Sequence, residues 1–456
     1  MKLFLPPVRF DRYFFLSRCS FLFLKNMPMR FALSSLAFVI QFVLLSGSVF
    51  GQPQGAYKKN DGKTIVVVGL AQSSDLRLVE VETGLRSVLK SKGSFIYESS
   101  GNPTVSYQFS GDKLQVISKT NQLNYVATKL NLPETNITFN SGETKLFGKL
   151  VVPKGDGKFP AVVITQGSDT QSAVDTYEEP YIFASQGIAC FVYDKRGTGR
   201  SQGQTIVSFP LLASDLVAAV DTLSHFNNID ENKIGLSGYS QGGWIAPIAA
   251  SLSNKVKFVV VNYGLAMSIA EEDWYETPLK LADHGINDKR SFDELSKVSG
   301  TLHQEVKNDF QEGWYDRIES KIKNYSGRPW LDSMRHIPTC WLGFFLNMSR
   351  ENATKFAPDM MRSIQPFYNP VSTLKKLNIP MYWLIAGEDI EAPPQITIKR
   401  IKQLKAEGKP FDLKIYPNTD HGFLLFKKES NKKRVYTNYT ETYFTDVALW
   451  VHSKAK

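Results

Sequence analysis

The chain has 456 residues, of which 42% are hydrophobic, 12% aromatic and 21% charged, a balance that supplies a large buried core and excludes a disordered or collagen-like polymer. Its formal charge of +10 divides evenly: residues 1–51 hold six Lys/Arg and one acid, and the remainder holds 48 bases against 43 acids with no long basic run. An excess that dilute is an ordinary solvated surface, so no nucleic-acid partner is expected.

The first fifty residues read as a secretory signal. Met29-Arg30 precedes a mostly apolar run, Phe31 to Leu45, and the small-residue stretch Ser46-Gly47-Ser48-Val49-Phe50-Gly51; Val49 and Gly51 suit the minus-three and minus-one positions of a cleavage before Gln52. Met27 or Met29 is the natural start of such a segment, which leaves residues 1–26 as an upstream extension. The run is short for a membrane span. The expectation is therefore a secreted or periplasmic protein with no stable membrane insertion once residues 1–51 are removed, and a retained signal anchor is the competing reading. Beyond that segment only Cys190 and Cys340 remain, too few for a disulfide scaffold, and two buried free thiols are expected.

Residues 52–140 read as a small β-rich module. Ile65-Val66-Val67-Val68, then Phe95-Ile96-Tyr97, then Val105, Tyr107 and Phe109, then Leu114 and Val116 suggest half-buried strands. Gly101-Asn102-Pro103 and Ser110-Gly111-Asp112 supply turns, and no chemistry is legible there.

After Ser141 apolar strands alternate with helical stretches, the pattern of a mostly parallel sheet flanked by helices. Seven strands are expected: Leu150 to Val152, Ala161 to Thr165, Ala189 to Tyr193, Ile234 to Ser237, Phe258 to Asn262, Met381 to Ala386 and Leu413 to Tyr416. One connecting helix is clear, with Ser208 as its cap, Pro210 in its first turn, and Leu212, Leu216, Ala219, Val220 and Leu223 as one apolar stripe. Between Asn262 and Met381 the alternation fails, and about 265–365 reads as an inserted helical cap. Its Trp274, Trp314, Trp330 and Trp341 either line an acyl pocket or form the aromatic core of the lid itself.

The strand Ile234 to Ser237 runs into Gly238-Tyr239-Ser240-Gln241-Gly242 and then a helical stretch. This is the context of a nucleophile elbow, where a tight strand-to-helix turn lifts the central side chain above the sheet. A serine hydroxyl is a weak nucleophile near neutral pH and needs a base oriented by an acid. Strand Met381 to Ala386 runs into Gly387-Glu388-Asp389-Ile390-Glu391, and strand Leu413 to Tyr416 into Pro417-Asn418-Thr419-Asp420-His421. Five of the six histidines, His225, His284, His303, His336 and His452, fall in helical stretches or the cap; only His421 follows a late strand. Glu388, Asp389, Glu391 and Asp420 all compete for the acid, and Asp389 is the choice. For the oxyanion, the N–H of Gln241 and that of Ser168, in the turn Gln166-Gly167-Ser168-Asp169, are the expected donors. There is no HExxH or paired Cys/His set, so neither a metal nor a cofactor is expected.

With Gly148-Lys149-Leu150-Val151-Val152-Pro153, Phe159-Pro160-Ala161-Val162-Val163-Ile164, Tyr193-Asp194-Lys195-Arg196-Gly197-Thr198-Gly199-Arg200-Ser201 and the elbow, the chain resembles the secreted esterase and serine-peptidase-like branch of the α/β-hydrolase superfamily, prolyl oligopeptidases and serine aminopeptidases included. The resemblance covers about 310 residues and implies an α/β-hydrolase fold over 141–456. It gives the Asp-x-Arg-Gly-x-Gly-x-Ser element a scaffolding role. One departure is Gln166, where relatives usually carry histidine. The function implied is a serine hydrolase cleaving small carboxylic esters through Ser240, His421 and Asp389. A serine peptidase of the prolyl or aminopeptidase type is the alternative, with Asp169, Asp175, Glu178 and Glu179 offered to a substrate amino group.

Overall fold

The computed structural model describes residues 53–120, 124–205, 207–429 and 434–455; the signal-like segment 1–51 lies outside the described residues. Eight strands close into an antiparallel barrel: β1 (Gly55–Lys59), β2 (Thr64–Gly69), β3 (Leu76–Glu80), β4 (Arg86–Ser91), β5 (Ile96–Ser99), β6 (Val105–Ser110), β7 (Lys113–Ser118) and β8 (Tyr125–Lys129), with β1 paired to both β2 and β8. Tyr57, Ile65, Val67, Leu78, Tyr107 and Phe109 fill its interior. Ala56, Val66, Val68, Val79 and Val81 face outward into a second core shared with Val174 and Tyr181. β2 is therefore buried on both faces, which corrects the half-buried reading of Ile65 to Val68 and explains why that run is continuously apolar.

The large sheet contains β9 (Glu134–Ser141), β10 (Thr144–Val151), β11 (Phe159–Thr165), β12 (Ala189–Tyr193), β13 (Ile229–Tyr239), β14 (Val256–Asn262), β15 (Met381–Ala386) and β16 (Phe411–Tyr416), in the order β16-β15-β14-β13-β11-β12-β10-β9. β11 to β16 are mutually parallel, and β9-β10 is an antiparallel edge hairpin. β9 sits in this sheet and not in the barrel, whose last strand ends at Lys129. Its largely exposed Glu-Thr-Asn-rich sequence lacks the apolar run that marks the central strands.

Helices α1 (Ala173–Thr176), α2 (Glu179–Ser185), α3 (Phe209–Leu223) and α4 (Gly242–Leu252) connect the first strands. α3 buries Leu212, Leu216, Ala219, Val220 and Leu223 against the sheet, where each larger side chain contributes about 1.5–3 kcal/mol relative to exposure. Ser208 occupies its N-cap position with extended backbone but makes no side-chain capping bond, so Pro210 and burial fix that end. The cap comprises α5 (Ile269–Asp283), α6 (Lys289–Lys307), α7 (Trp314–Lys323), α8 (Pro329–Arg335), α9 (Trp341–Leu346) and α10 (Arg350–Ile364). Trp314, Trp330 and Trp341 lie in its own core, while Trp274 is 40% exposed. Glu271 closes a capping box at the start of α5 and pairs with Arg400 of α12 (Pro394–Ala406), tying the cap to the sheet's helices. α11 (Pro370–Lys376) leads back to β15, and a small antiparallel sheet, β17 (Thr419–Asp420), β18 (Leu424–Lys428) and β19 (Arg434–Tyr439), precedes α13 (Tyr443–Lys454). Cys190 and Cys340 are both buried and free. No helix among the described residues is long and apolar enough to cross a membrane.

Candidate active site

β13 delivers Ser240 at the carboxyl end of the parallel sheet, with φ at +52°, a strained value for a residue with a side chain. The turn is this tight because Gly238 has the Gly242 carbonyl where its Cβ would be, and Gly242 has the Thr165 carbonyl against its own Cβ position. Gln241 stands at the N-cap of α4, so the turn ends at a helix N-terminus where backbone N–H groups favour negative charge. A Cβ on Gly167 would come within 3.4 Å of the Ser240 Cβ, which places the loop after β11 directly beside the serine.

His421 lies 3.0 Å from the Ser240 Oγ through Nε2 and 2.8 Å from Asp389 Oδ2 through Nδ1. The neighbour of Nδ1 is a carboxylate, which only accepts, so in the neutral imidazole Nδ1 carries the proton and Nε2 is left to accept from the serine hydroxyl. Asp389 has a side chain only 1% exposed, and its Oδ1 accepts the N–H groups of Glu391 and Ala392 at 2.9 and 2.8 Å. The loops after β15 and β16 are laced together by Gly387 N–H to Tyr416 O and Glu388 N–H to Thr419 O, both 2.9 Å. That lacing brings the acid and the imidazole into register.

Burial works against the charged imidazole, yet the Asp389 carboxylate, with Glu391 and Asp420 behind it, outweighs this and carries the His421 pKa up to about 10. Burial also pushes the Asp389 carboxyl upward, and the imidazolium opposite pulls it back. With two backbone N–H groups on Oδ1 as well, the raised imidazole is the net result at the pair.

The competing acids take other positions. Asp420 accepts from the N–H groups of His421 and Ile390 at 2.9 and 3.1 Å, and its other oxygen meets Arg434 and the Tyr436 hydroxyl, so it pins the histidine loop from below. Gln166, in place of histidine, bonds through Nε2 to Asp169 and to the Gln171 carbonyl while its Oε1 accepts the Lys195 N–H; it fastens the turn after β11 by hydrogen bonding alone. In the Asp-x-Arg-Gly-x-Gly-x-Ser element, Arg196 makes a two-pronged buried ion pair with Asp215 at 2.7 and 2.5 Å, and Asp194 accepts from Ser172, Val174 and Arg200. Gly197 and Gly199 both have positive φ. These bonds are scaffolding, as the resemblance implies.

Three features had no sequence signal. Tyr263, at φ +40°, sets its ring edge-on to the His421 imidazole at 4.6 Å. Glu272 of α5 is pushed well above the usual carboxylate range by burial and by Glu276, and His421 is close enough to act on its charge. Lys195 runs beneath the turn that carries Gly167. In the cap, ligand atoms of Asp273, Glu276 and Cys340 lie within 4.8 Å of one another, but His303 and the Trp341 N–H already occupy Asp273, and the Lys280 ammonium bonds Glu276. The cation in that cluster is a side chain.

Residues 141–334 match the family model of the X-Pro dipeptidyl-peptidases (S15 family), and residues 349–445 match that of the dienelactone hydrolase family. The chain belongs to the α/β-hydrolase superfamily. Among curated proteins, the chain is 33% identical over 105 residues to the thiohydrolase apmlB of Arthrinium phaeospermum, covering 23% of this chain and 34% of that one. It is 32% identical over 99 residues to the polyketide transferase af380 of Aspergillus fumigatus, covering 21% and 34%. It is 26% identical over 283 residues to the quorum-quenching protein AidA of Acinetobacter baumannii, covering 59% and 84%. The match thus spans about a third of the length of the first two relatives.

Proposed function

We propose that the protein is a serine hydrolase that cleaves carboxylic esters of small molecules through an acyl-enzyme. The Ser240 oxygen attacks the acyl carbon while His421 Nε2 takes its proton; the imidazolium, stabilised by Asp389, returns that proton to the departing alcohol, and water then repeats the sequence on the acyl-serine. Negative charge developing on the carbonyl oxygen is met by the N–H groups of Gln241 and Ser168. The observation that carries this reading is the unbroken chain Asp389–His421–Ser240, at 2.8 and 3.0 Å, with the serine on a strained elbow. No step calls for a metal or cofactor, and the signal-like residues 1–51 support secretion or export to the periplasm.

The ester reading is preferred to the peptidase one because three of the four acids offered to a substrate amine are engaged within the protein, and burial beside Glu178 pushes the fourth, Glu179, up to about 8. Asp169 is bonded to Gln166 and Gln171, Asp175 pairs with Arg200, and Glu178 with Arg77 and Tyr439. Residues 52–456, wild type and Ser240→Ala, assayed against p-nitrophenyl esters of graded acyl length and against aminoacyl and prolyl anilides, test both. Ester turnover is expected, reduced about 10⁴-fold or more by the mutation with the unfolding midpoint nearly unchanged. Equal turnover by both proteins would end the mechanism, and anilide turnover without ester preference would favour the peptidase.

A further inference from the structure

Lys195 is nearly inaccessible to solvent, and Asp169, the acid that acts on its charge, forms no ion pair with it among the described residues. A buried cation without an ion-pair partner is unfavourable unless something else holds it there. Its Nζ donates to the Gly167 carbonyl at 2.5 Å and reaches the Gln241 Oε1 at 3.4 Å. Those two residues flank Ser240 from separate loops. Burial draws the Lys195 pKa down to about 8, against the pull of Asp169.

A peptide unit is planar and trans, so the C=O of one residue and the N–H of the next point in opposite directions. Fixing the Gly167 carbonyl toward Lys195 therefore fixes the Ser168 N–H away from it. We propose that Lys195 is a positioning residue that holds the Gly167–Ser168 peptide in the orientation that offers the Ser168 N–H to the substrate oxyanion. This role rests on the serine-hydrolase reading above. Were the peptide to turn over, the Gly167 carbonyl oxygen would replace a donor with an acceptor and repel the developing charge. Gly167 has no side chain to resist that rotation, and the Gly167 N–H makes only a long contact, 3.4 Å, with the Tyr177 hydroxyl. The lysine supplies the restraint that the glycine lacks.

The test compares wild type, Lys195→Met, Lys195→Arg and Ser240→Ala on p-nitrophenyl acetate, with an alkyl trifluoromethyl ketone as inhibitor. The ketone accepts the serine oxygen at its carbonyl carbon, the π pair moves to oxygen, and the serine proton passes to His421, so its adduct carries the oxyanion itself. Lys195→Met is expected to lower kcat about 10- to 100-fold with KM within about threefold, and to weaken the ketone by the same factor. Lys195→Arg, which retains a cationic donor, should restore most of both. If Lys195→Met fails to fold, Lys195→Gln carries the same readout with a smaller loss. Unchanged kcat, or a fall in kcat and stability with ketone affinity intact, would overturn the role of Lys195 while an inactive Ser240→Ala leaves the serine mechanism standing. A Ser240→Ala protein as active as wild type would overturn both.

Discussion

At the scale of single residues, the chemistry turns on the charge that Asp389 places beside His421. Only the neutral imidazole can accept the serine proton, so on the proposed mechanism kcat/KM should rise as His421 loses its proton. With the pKa carried up to about 10, the rise continues above the ordinary imidazole value of about 6.5 and is still climbing at pH 9. The stability linkage has the opposite sense: the raised pKa stabilises the fold fully below about pH 6.5, and that contribution is lost as pH climbs toward 10. Replacing Asp389 with Asn removes the charge and, because the Glu391 and Ala392 N–H groups keep the amide oxygen, turns an NH2 donor toward Nδ1 that selects the wrong tautomer. Asp389→Asn should lower kcat by about 10⁴-fold and move the remaining limb down toward 6.5, whereas Glu391→Gln, which contributes only at longer range, should shift the limb slightly. A kcat/KM profile from pH 5 to 10, corrected with Ser240→Ala as blank, checks this. A wild-type plateau reached by pH 7 would show that Asp389 does not hold the imidazole charged.

Elements position these residues through packing that no functional group supplies. The loop after β12 is held by Arg196 against the fully buried Asp215 of α3, which couples the scaffold loop to the helix packed against α4, the helix that follows the elbow. Removing one partner strands a buried charge, whereas replacing both by apolar groups does not. Arg196→Met should therefore destabilise by about 3–5 kcal/mol in urea unfolding, and Arg196→Met combined with Asp215→Leu should recover most of that loss. Equal destabilisation by the single and double variants would mean that the pair matters for shape and not for charge. The cap follows the same logic. Trp314, Trp330 and Trp341 pack within its own core, so for three of the four tryptophans the lid-core reading holds. Its link to the site runs through Glu272 on α5, which the charge of His421 reaches.

Across the whole molecule, the barrel and the sheet share a core. Ala56, Val66, Val68, Val79 and Val81 pack in one cluster with Val174, Tyr181 and the β11–β12 residues, and Arg77 bonds both Glu178 and the Thr176 carbonyl. The barrel backs α1 and α2, the elements that follow the turn bearing Gly167 and Ser168. Deleting residues 53–130 uncovers that apolar face and leaves Glu178 without its guanidinium. The shortened chain should bind a hydrophobic dye, lose its cooperative transition or melt well below the full chain, as measured by calorimetry. An unchanged midpoint would make the barrel an independent appendage.

Sequence alone marked Ser240 and His421 as candidates and located the central strands along the chain, because these are written in local patterns; the order of the strands in the sheet came from the fold. A buried parallel strand needs a continuous apolar run, and an elbow needs glycines where a Cβ would strike the neighbouring backbone, as at Gly238 and Gly242. It also singled out Asp389 from four nearby carboxylates, although only the lacing of the loops after β15 and β16 distinguishes it from Asp420, one residue from the histidine. The rest belongs to tertiary structure. β9 carries no apolar run, the second buried face of β2 exists only because a sheet domain lies against it, and Lys195 reads as one basic residue in a loop motif until the chain folds its ammonium onto the Gly167 carbonyl. Hydrophobic period and steric turn rules act between near neighbours and leave a trace in the chain, whereas a contact between residues 28 apart, such as Lys195 with Gly167, depends on the whole sheet having formed.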